Sequence, residues 1–196
     1  MGYIQQVPQD LHMHTVYSTG DSSVVSQQTV ELITAVAHAR ILGISDHFDF
    51  VFGERFEEYA ADLRGHGLKV GTEVDGAEWV SDALSVEADY YVYHCRDSHR
   101  EYRGAERLAD SGKPVIIAHP FIMRTNLRKL SENCYVEINN RYIWRSNWRR
   151  ELGPFVGGPY RFVISSDAHK PNWLSQNVAR YVAGEMGIEE TLLFPE

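Results

Sequence analysis

An α/β barrel of parallel strands is the fold this sequence predicts, and three observations predict it. Seven short apolar runs recur along the 196 residues. Helix-patterned segments separate several of these runs. Nearly every run ends in a histidine or a carboxylate. Strands alternating with helices imply a parallel sheet covered by helices. Seven such units suggest closure close to the (β/α)₈ type, in a chain short for that fold.

Taken in order, the strand-like runs are QDLHMH (9–14), LGISDH (42–47), LKVGTEVD (68–75), DYYVYHC (89–95), PVIIAH (114–119), CYVEIN (134–139) and RFVISSDAH (161–169). Between the first two, residues 26–43 place Val30, Ile33, Ala37 and Ile41 at helical spacing, with Gly43 as the stop. Residues 98–112 open with Ser98 and Glu101 at capping-box spacing and close at Gly112, and residues 175–187 repeat the pattern. No repeat, low-complexity tract or linker interrupts the chain, so residues 1–196 read as one domain.

Composition excludes several functional classes. Hydrophobic content of 43% and charged content of 23% are globular averages. No apolar run is long enough to span a bilayer. The opening MGYIQQVPQD lacks a basic, apolar leader, and Gln6 rules out a myristoylation signal. Two cysteines, Cys95 and Cys134, make no disulfide framework and suit buried free thiols in a cytoplasmic protein. A net charge of −8 excludes a broad basic surface for nucleic acid. The one basic cluster, RYIWRSNWRR (141–150), could stack on bases and hold phosphates. Its plainer reading is an amphipathic helix with Trp144 and Trp148 facing the core.

The chemistry lies where the runs end. His12 and His14 close the first and His47 the second, while Glu73 lies near the end of the third. His94 is near the end of the fourth, His119 ends the fifth, and Asp167 and His169 finish the seventh. Only the sixth, with Glu137 and Asn139, lacks a histidine. In a parallel barrel the C-terminal strand ends converge on one rim, where active sites are built. Imidazoles and carboxylates together suit zinc, iron or manganese, and their number exceeds the four ligands of one zinc, which argues for two or three divalent ions. The remaining histidines, His38, His66 and His99, lie in helix-like or loop segments and carry no such reading.

The motifs DLHMHTVYSTGD, GISDH, GTEVD, YHC, IIAHP and SSDAH, spanning residues 10–169, together resemble the PHP superfamily, named for polymerase and histidinol phosphatase. The resemblance implies a distorted (β/α)₇ barrel of TIM-like type and a cluster of up to three metals that hydrolyses phosphate esters. Carried over by position, His12, His14, Glu73 and Asp167 would hold one ion. Glu73 would bridge to a second, completed by His94 and His119. Asp21, His47 and His169 would hold a third. Glu73, Asp21 and Asp167 take the catalytic roles, with a hydroxide bridging two ions attacking phosphorus and Asp21 placed to help the leaving group. Asp46 could orient a ligand, and Arg124, Arg141 and Lys170 are candidates for gripping phosphate.

The expected activity is therefore a metal-dependent hydrolase of a small phosphorylated metabolite or nucleotide, monoesters favoured. Histidinol-phosphate phosphatase and exonuclease or phosphodiesterase are the alternatives. An amidohydrolase shares the opening His-x-His but does not account for SDH at 45–47 or SDAH at 166–169. A non-catalytic, metal-stabilised module fits poorly, because every expected ligand is present. The sequence leaves the oligomeric state open.

Overall fold

Seven parallel strands follow one another around the molecule in chain order, each hydrogen-bonded to the next. The structure is a computed structural model that describes residues 6–195. Residues 1–5, on which the expectation of no leader partly rests, lie outside the described residues. The strands are β1 (Val7–Asp10), β2 (Ala39–Ile44), β3 (Lys69–Val74), β4 (Tyr90–Tyr93), β5 (Val115–Ile117), β6 (Tyr135–Asn139) and β7 (Arg161–Ser165). Seven helices lie between or after them: α1 (Val30–Val36), α2 (Phe48–Val51), α3 (Glu54–Gly65), α4 (Val80–Ala83), α5 (His99–Ala109), α6 (Trp148–Leu152) and α7 (Asn177–Met186).

The sheet nearly closes on itself. Beyond β1 and β7 the chain pairs once more at the upper rim, where Asp167 N donates to His12 O (2.8 Å) and His14 N to Ala168 O (2.9 Å). The seam is filled lower down by the C-terminal segment, with Thr191 N donating to Phe162 O at 2.7 Å. The closure therefore places His12, His14 and Asp167 side by side.

Strand alternation decides which residues face the barrel interior. On β4, Tyr91 Oη donates to Ala83 O of α4, and Tyr93 Oη donates to Glu101 on α5, so both point outward. Tyr90 and Val92 point inward, into a small cluster with Ile116, Ala118 and Val163. His94 continues that inward series. Glu73 is in register with Val92, and Glu137 with Val163, so both carboxylates share the interior.

The helix expected over 26–43 is shorter than that. It runs Val30–Val36, capped by the Thr29 side chain, and ends at Ala37 with φ of 43°. Residues 39–44 instead form β2, because tertiary pairing with β1 (Val7 to Ala39, Gln9 to Ile41) outweighs the local helical spacing. Gly43 is no helix stop. It lies in β2, where an added Cβ would sit 2.5 Å from Tyr90 Oη, so the interior tyrosine requires glycine there. The other two helices form as expected: Ser98 Oγ caps α5 through Glu101 N, and Gly187, at φ of 63°, ends α7.

The expected amphipathic helix over 141–150 does not form. A short 3₁₀ turn, Ile143–Arg145, is followed by α6, and only Trp148 packs against the core while Trp144 is 61% exposed. The tight turn places Ile143, not Trp144, on the buried side.

Candidate metal centre

The nine expected ligands gather at the upper rim around one of their own number, the Glu73 carboxylate. Glu73 is 2% exposed and is met by five imidazoles. Its Oε1 lies 3.1 Å from His12 Nε2, 2.7 Å from His94 Nε2 and 3.5 Å from His119 Nε2. Its Oε2 lies 3.4 Å from His14 Nε2 and 3.1 Å from His47 Nδ1. Asp167 Oδ1 approaches His14 Nε2 at 3.8 Å, and His169 Nε2 reaches Asp21 Oδ2 at 2.8 Å. Asp21, the ninth, lies 3.6 Å from His47 Nε2 as well. The structure thus brings together every metal ligand expected from the sequence.

Three groups have donor atoms all within 4.8 Å of one another: His12, His14 and Asp167; His12, Glu73 and His119; and His14, His47 and His169. They overlap at His12 and His14.

The donor set fits divalent ions on this structure's own observations. Glu73 Oε1 is buried and, despite three imidazole nitrogens close by, has no well-directed hydrogen-bond donor. His12 Nδ1 donates to Glu137 Oε1 at 2.7 Å, which points Nε2 into the site. His14 Nδ1 is directed at Ser18 Oγ at 3.5 Å, which points its Nε2 the same way. The two Nε2 atoms are 3.2 Å apart, and His94 Nε2 and His119 Nε2 are also 3.2 Å apart. Two buried imidazole nitrogens this close need a proton or a cation between them.

The electrostatics agree. Burial would raise the Glu73 pKa, but His94, His12 and His47 together hold it well below the usual carboxylate range. Burial opposes charge on His94, yet Glu73 and Asp75 push it up to about 10. His14 is pushed down, first by burial and then by His169 and His47. Protons thus fill part of the role that divalent ions would take, and ion binding would release them.

Backbone conformation contributes too. Asp167 (φ 54°) and His119 (φ 26°) sit in the left-handed region that non-glycine residues rarely occupy. Both are held at the rim by hydrogen bonds, Asp167 N to His12 O and His119 N to Glu137 Oε2 (2.6 Å). Such outliers cluster where side-chain direction matters more than backbone ease.

Sequence reasoning gave Glu137 and Asn139 no role, and the structure shows one. Glu137 fixes the His12 ring through Oε1 and the His119 backbone through Oε2. Asn139 Nδ2 donates to Glu137 Oε2 (2.9 Å) and to Asp167 Oδ2 (3.1 Å), so it ties two acidic groups together. Their signal was present: two polar residues, two apart, on the inward face of an otherwise apolar strand. Asp75 was missed as well, although its Oδ1 lies 3.1 Å from His94 Nδ1. Asp46 does not touch the His47 ring. It accepts hydrogen bonds from Thr15 N, Thr15 Oγ1 and Ser18 Oγ at 2.6–2.7 Å and so braces the loop that follows His14.

The three basic candidates separate. Arg141 reaches into the centre, with Nη1 3.4 Å from Asp167 Oδ1 and 3.0 Å from His169 Nε2. Arg124 is exposed and lines a different depression, beside Phe121 and Phe155. Lys170 lies over the Trp173 ring, 5.0 Å from its centroid, and is absent from the lining of the metal pocket. His38 pairs with Asp10 at 2.8 Å and His66 with Asp62 at 3.2 Å, away from the centre.

No protein-family model matches the chain, and no curated protein matches it. Among solved structures the chain is similar to a truncated form of 3-deoxy-D-arabino-heptulosonate 7-phosphate synthase from Thermotoga maritima. That likeness has 12% identity and a TM-score of 0.49, covering 93% of this chain and 74% of that one. It is also similar to Xanthomonas albilineans dihydropteroate synthase, at 12% identity and a TM-score of 0.47, over 95% of this chain and 87% of that one. Likenesses this distant bear on neither substrate nor reaction. The α/β barrel is established here by strand order and closure. Among the described residues, no helix is long and apolar enough to cross a membrane.

Proposed function

We propose that this chain is a metal-dependent hydrolase of phosphate esters, with monoesters of a small metabolite or nucleotide favoured. The observation that carries the reading is Glu73 buried among five imidazoles, with Nε2 atoms facing each other in pairs 3.2 Å apart. His12, His14, Glu73 and Asp167 would hold one ion, Glu73, His94 and His119 a second, and Asp21, His47 and His169 a third. When bound, such ions neutralise the charge of a phosphoryl group and make a water acidic enough to act near neutral pH. The resemblance of the sequence motifs to the PHP superfamily points to the same chemistry.

The chain's own residues have separable tasks. Glu73 fixes the spacing of the imidazoles around it. Glu137 holds His12 in the tautomer that leaves Nε2 free, and Asn139 aims Asp167. Asp21 is the most accessible of the three carboxylates, at 15% side-chain exposure against 2% for Glu73 and 1% for Asp167, and so stands nearest a leaving group. Arg141 presents a guanidinium beside Asp167 and His169, where it can bind a phosphoryl oxygen through parallel hydrogen bonds. The pocket bounded by these groups has a volume of about 270 Å³.

The test combines elemental analysis with assays of a panel of phosphomonoesters and phosphodiesters, for wild type and His14→Ala. The expected outcome is at least one divalent ion per chain, metal-dependent release of phosphate, and loss of both in the variant. Metal content well below one ion per chain, with no hydrolysis after reconstitution with zinc, manganese or iron, would overturn the reading. Activity on diesters alone would overturn the monoester preference.

A further inference from the structure

Beside the metal pocket lies a second, larger cavity of about 480 Å³, and Arg141 and Tyr142 line both. Its wall is an alternating stack of rings and guanidinium groups. The Arg141 guanidinium lies 5.2 Å from the Trp173 ring centroid and 4.9 Å from that of Tyr142. The Arg145 guanidinium in turn lies 5.3 Å from the Tyr142 centroid and 5.0 Å from that of Trp144. The contacts follow the order Trp173, Arg141, Tyr142, Arg145, Trp144 and end on an exposed ring.

Packing alone does not explain this wall. Trp144 is 61% exposed, so its ring serves no core, and its indole is held in place by Nε1 donating to Arg141 O at 2.8 Å. Among the described residues no carboxylate pairs with Arg145. At the cavity floor Ser166 is 1% exposed, and its Oγ has no hydrogen-bond partner. An oriented, exposed ring next to an unneutralised cation and a buried free hydroxyl suits a planar, polar ligand group.

We infer that this cavity is a nucleobase subsite, so that the phosphate esters presented to the metal centre are nucleotides. The inference rests on the phosphate-ester reading of the metal centre and narrows it. Arg141 joins the two halves, gripping the phosphate on one side and walling the base site on the other. The base stacks against the exposed Trp144–Arg145 end of the wall, and its edge reaches Ser166. Stacking on an aromatic ring tolerates any base, so the subsite distinguishes nucleotides from sugar phosphates more than one base from another.

The experiment compares adenosine monophosphate with ribose 5-phosphate on the metal-loaded chain, by calorimetric binding and by hydrolysis. The wild type is expected to bind the nucleotide at least tenfold more tightly, within the roughly five- to hundredfold that one base–aromatic stack provides. Trp144→Ala should lower that ratio by about fivefold or more, and Arg145→Gln by less. Nucleotide should also quench tryptophan emission in the wild type, and this quench should shrink in Trp144→Ala. Equal affinity for the two esters, or a ratio unchanged in both variants, would overturn the subsite. Equal hydrolysis of both esters would sink the subsite and leave the phosphoesterase reading standing. Selective nucleotide binding without hydrolysis would support the subsite and sink the phosphoesterase reading.

Discussion

Just below the rim, at the lower end of the site, Asp10 closes β1 and accepts hydrogen bonds from His38 Nε2 at 2.8 Å and Ser166 N at 3.0 Å. Gln9 beside it donates to Thr191 O and accepts from Leu193 N, and its carbonyl accepts from Gln176 Nε2. Two residues further along the same strand direction, His12 begins a site where five imidazoles face a single carboxylate and Glu73 Oε1 lacks a well-directed donor. Both ends bury histidines and acids. Asp10 and Gln9 have their acceptors satisfied within the protein, whereas at the rim Glu73 Oε1, His94 Nδ1 and His119 Nδ1 are buried without a well-directed partner. Burial of polar groups is therefore a weak sign of function, and several unpartnered atoms gathered around one carboxylate are a stronger one.

The contrast breaks most sharply at Glu73. Glu73→Gln keeps the shape but removes the charge that five imidazoles share. Hydrolysis should fall by on the order of a thousandfold, comparable to losing one preorganised electrostatic group. The matching change at the lower end, Asp10→Asn, should leave metal content unchanged and cost about 1–3 kcal/mol of stability by unbalancing buried hydrogen bonds. Elemental analysis and chemical denaturation of the two variants check the pair.

Removing the ions should expose the same difference in thermal stability. Chelation is expected to lower the melting temperature by about 5–10 °C, from a linkage of about 2–3 kcal/mol at a hundredfold excess of metal over its dissociation constant. Asp10→Asn should show the same metal-dependent shift, and Glu73→Gln a much smaller one. A melting temperature indifferent to chelation would contradict the assignment of the upper end.

Glu137 sharpens the comparison, because it sits at the upper end yet has its partners. Glu137→Gln should reduce metal affinity or activity by about 10–100-fold, as loss of a ligand-orienting carboxylate does. It also carries a pH signature. Burial would raise its pKa, but His12 overcomes that and holds it at about 2, against an ordinary 4.5. A folded-state pKa below the unfolded value means stability that is fully present above pH 4.5 and is lost as the pH falls toward 2. Unfolding free energies between those limits should decline more steeply for the wild type than for Glu137→Gln.

The smallest effect concerns the thiols. Burial pushes Cys95 and Cys134 each up to about 12, so neither is a thiolate at pH 8. A disulfide exchange reagent should titrate no thiol in the native chain and both after denaturation.

Much of the candidate metal centre was legible in the sequence because a parallel barrel converts strand ends into neighbours. His12, His14, His47, Glu73, His94, His119, Asp167 and His169 all lie at or just past the ends of strands that pair in chain order. Glu137 and Asn139 were visible as polar residues on an apolar strand, but their task depends on which ring lies opposite. That is a matter of register with β7 and closure onto β1. The boundary of α1 was misread for a related reason. Residues 39–43 continue the helical spacing locally, and only pairing with β1 makes them part of a strand.

By itself the sequence determined the strand count, the parallel α/β class and the donor chemistry, since these follow from periodicity and from residue types at run ends. Tertiary structure alone decided which basic residue reaches the centre. Arg124, Arg141 and Lys170 all follow strand-end motifs, yet only the turn after β6 carries Arg141 back to Asp167 and His169. It also decided that Trp144 faces solvent beside Arg145, because the 3₁₀ turn at Ile143–Arg145 shifts the ring off the buried face that helical spacing assigns to it. Side-chain direction in a turn is set by what packs beneath it, and no local pattern in the sequence encodes that.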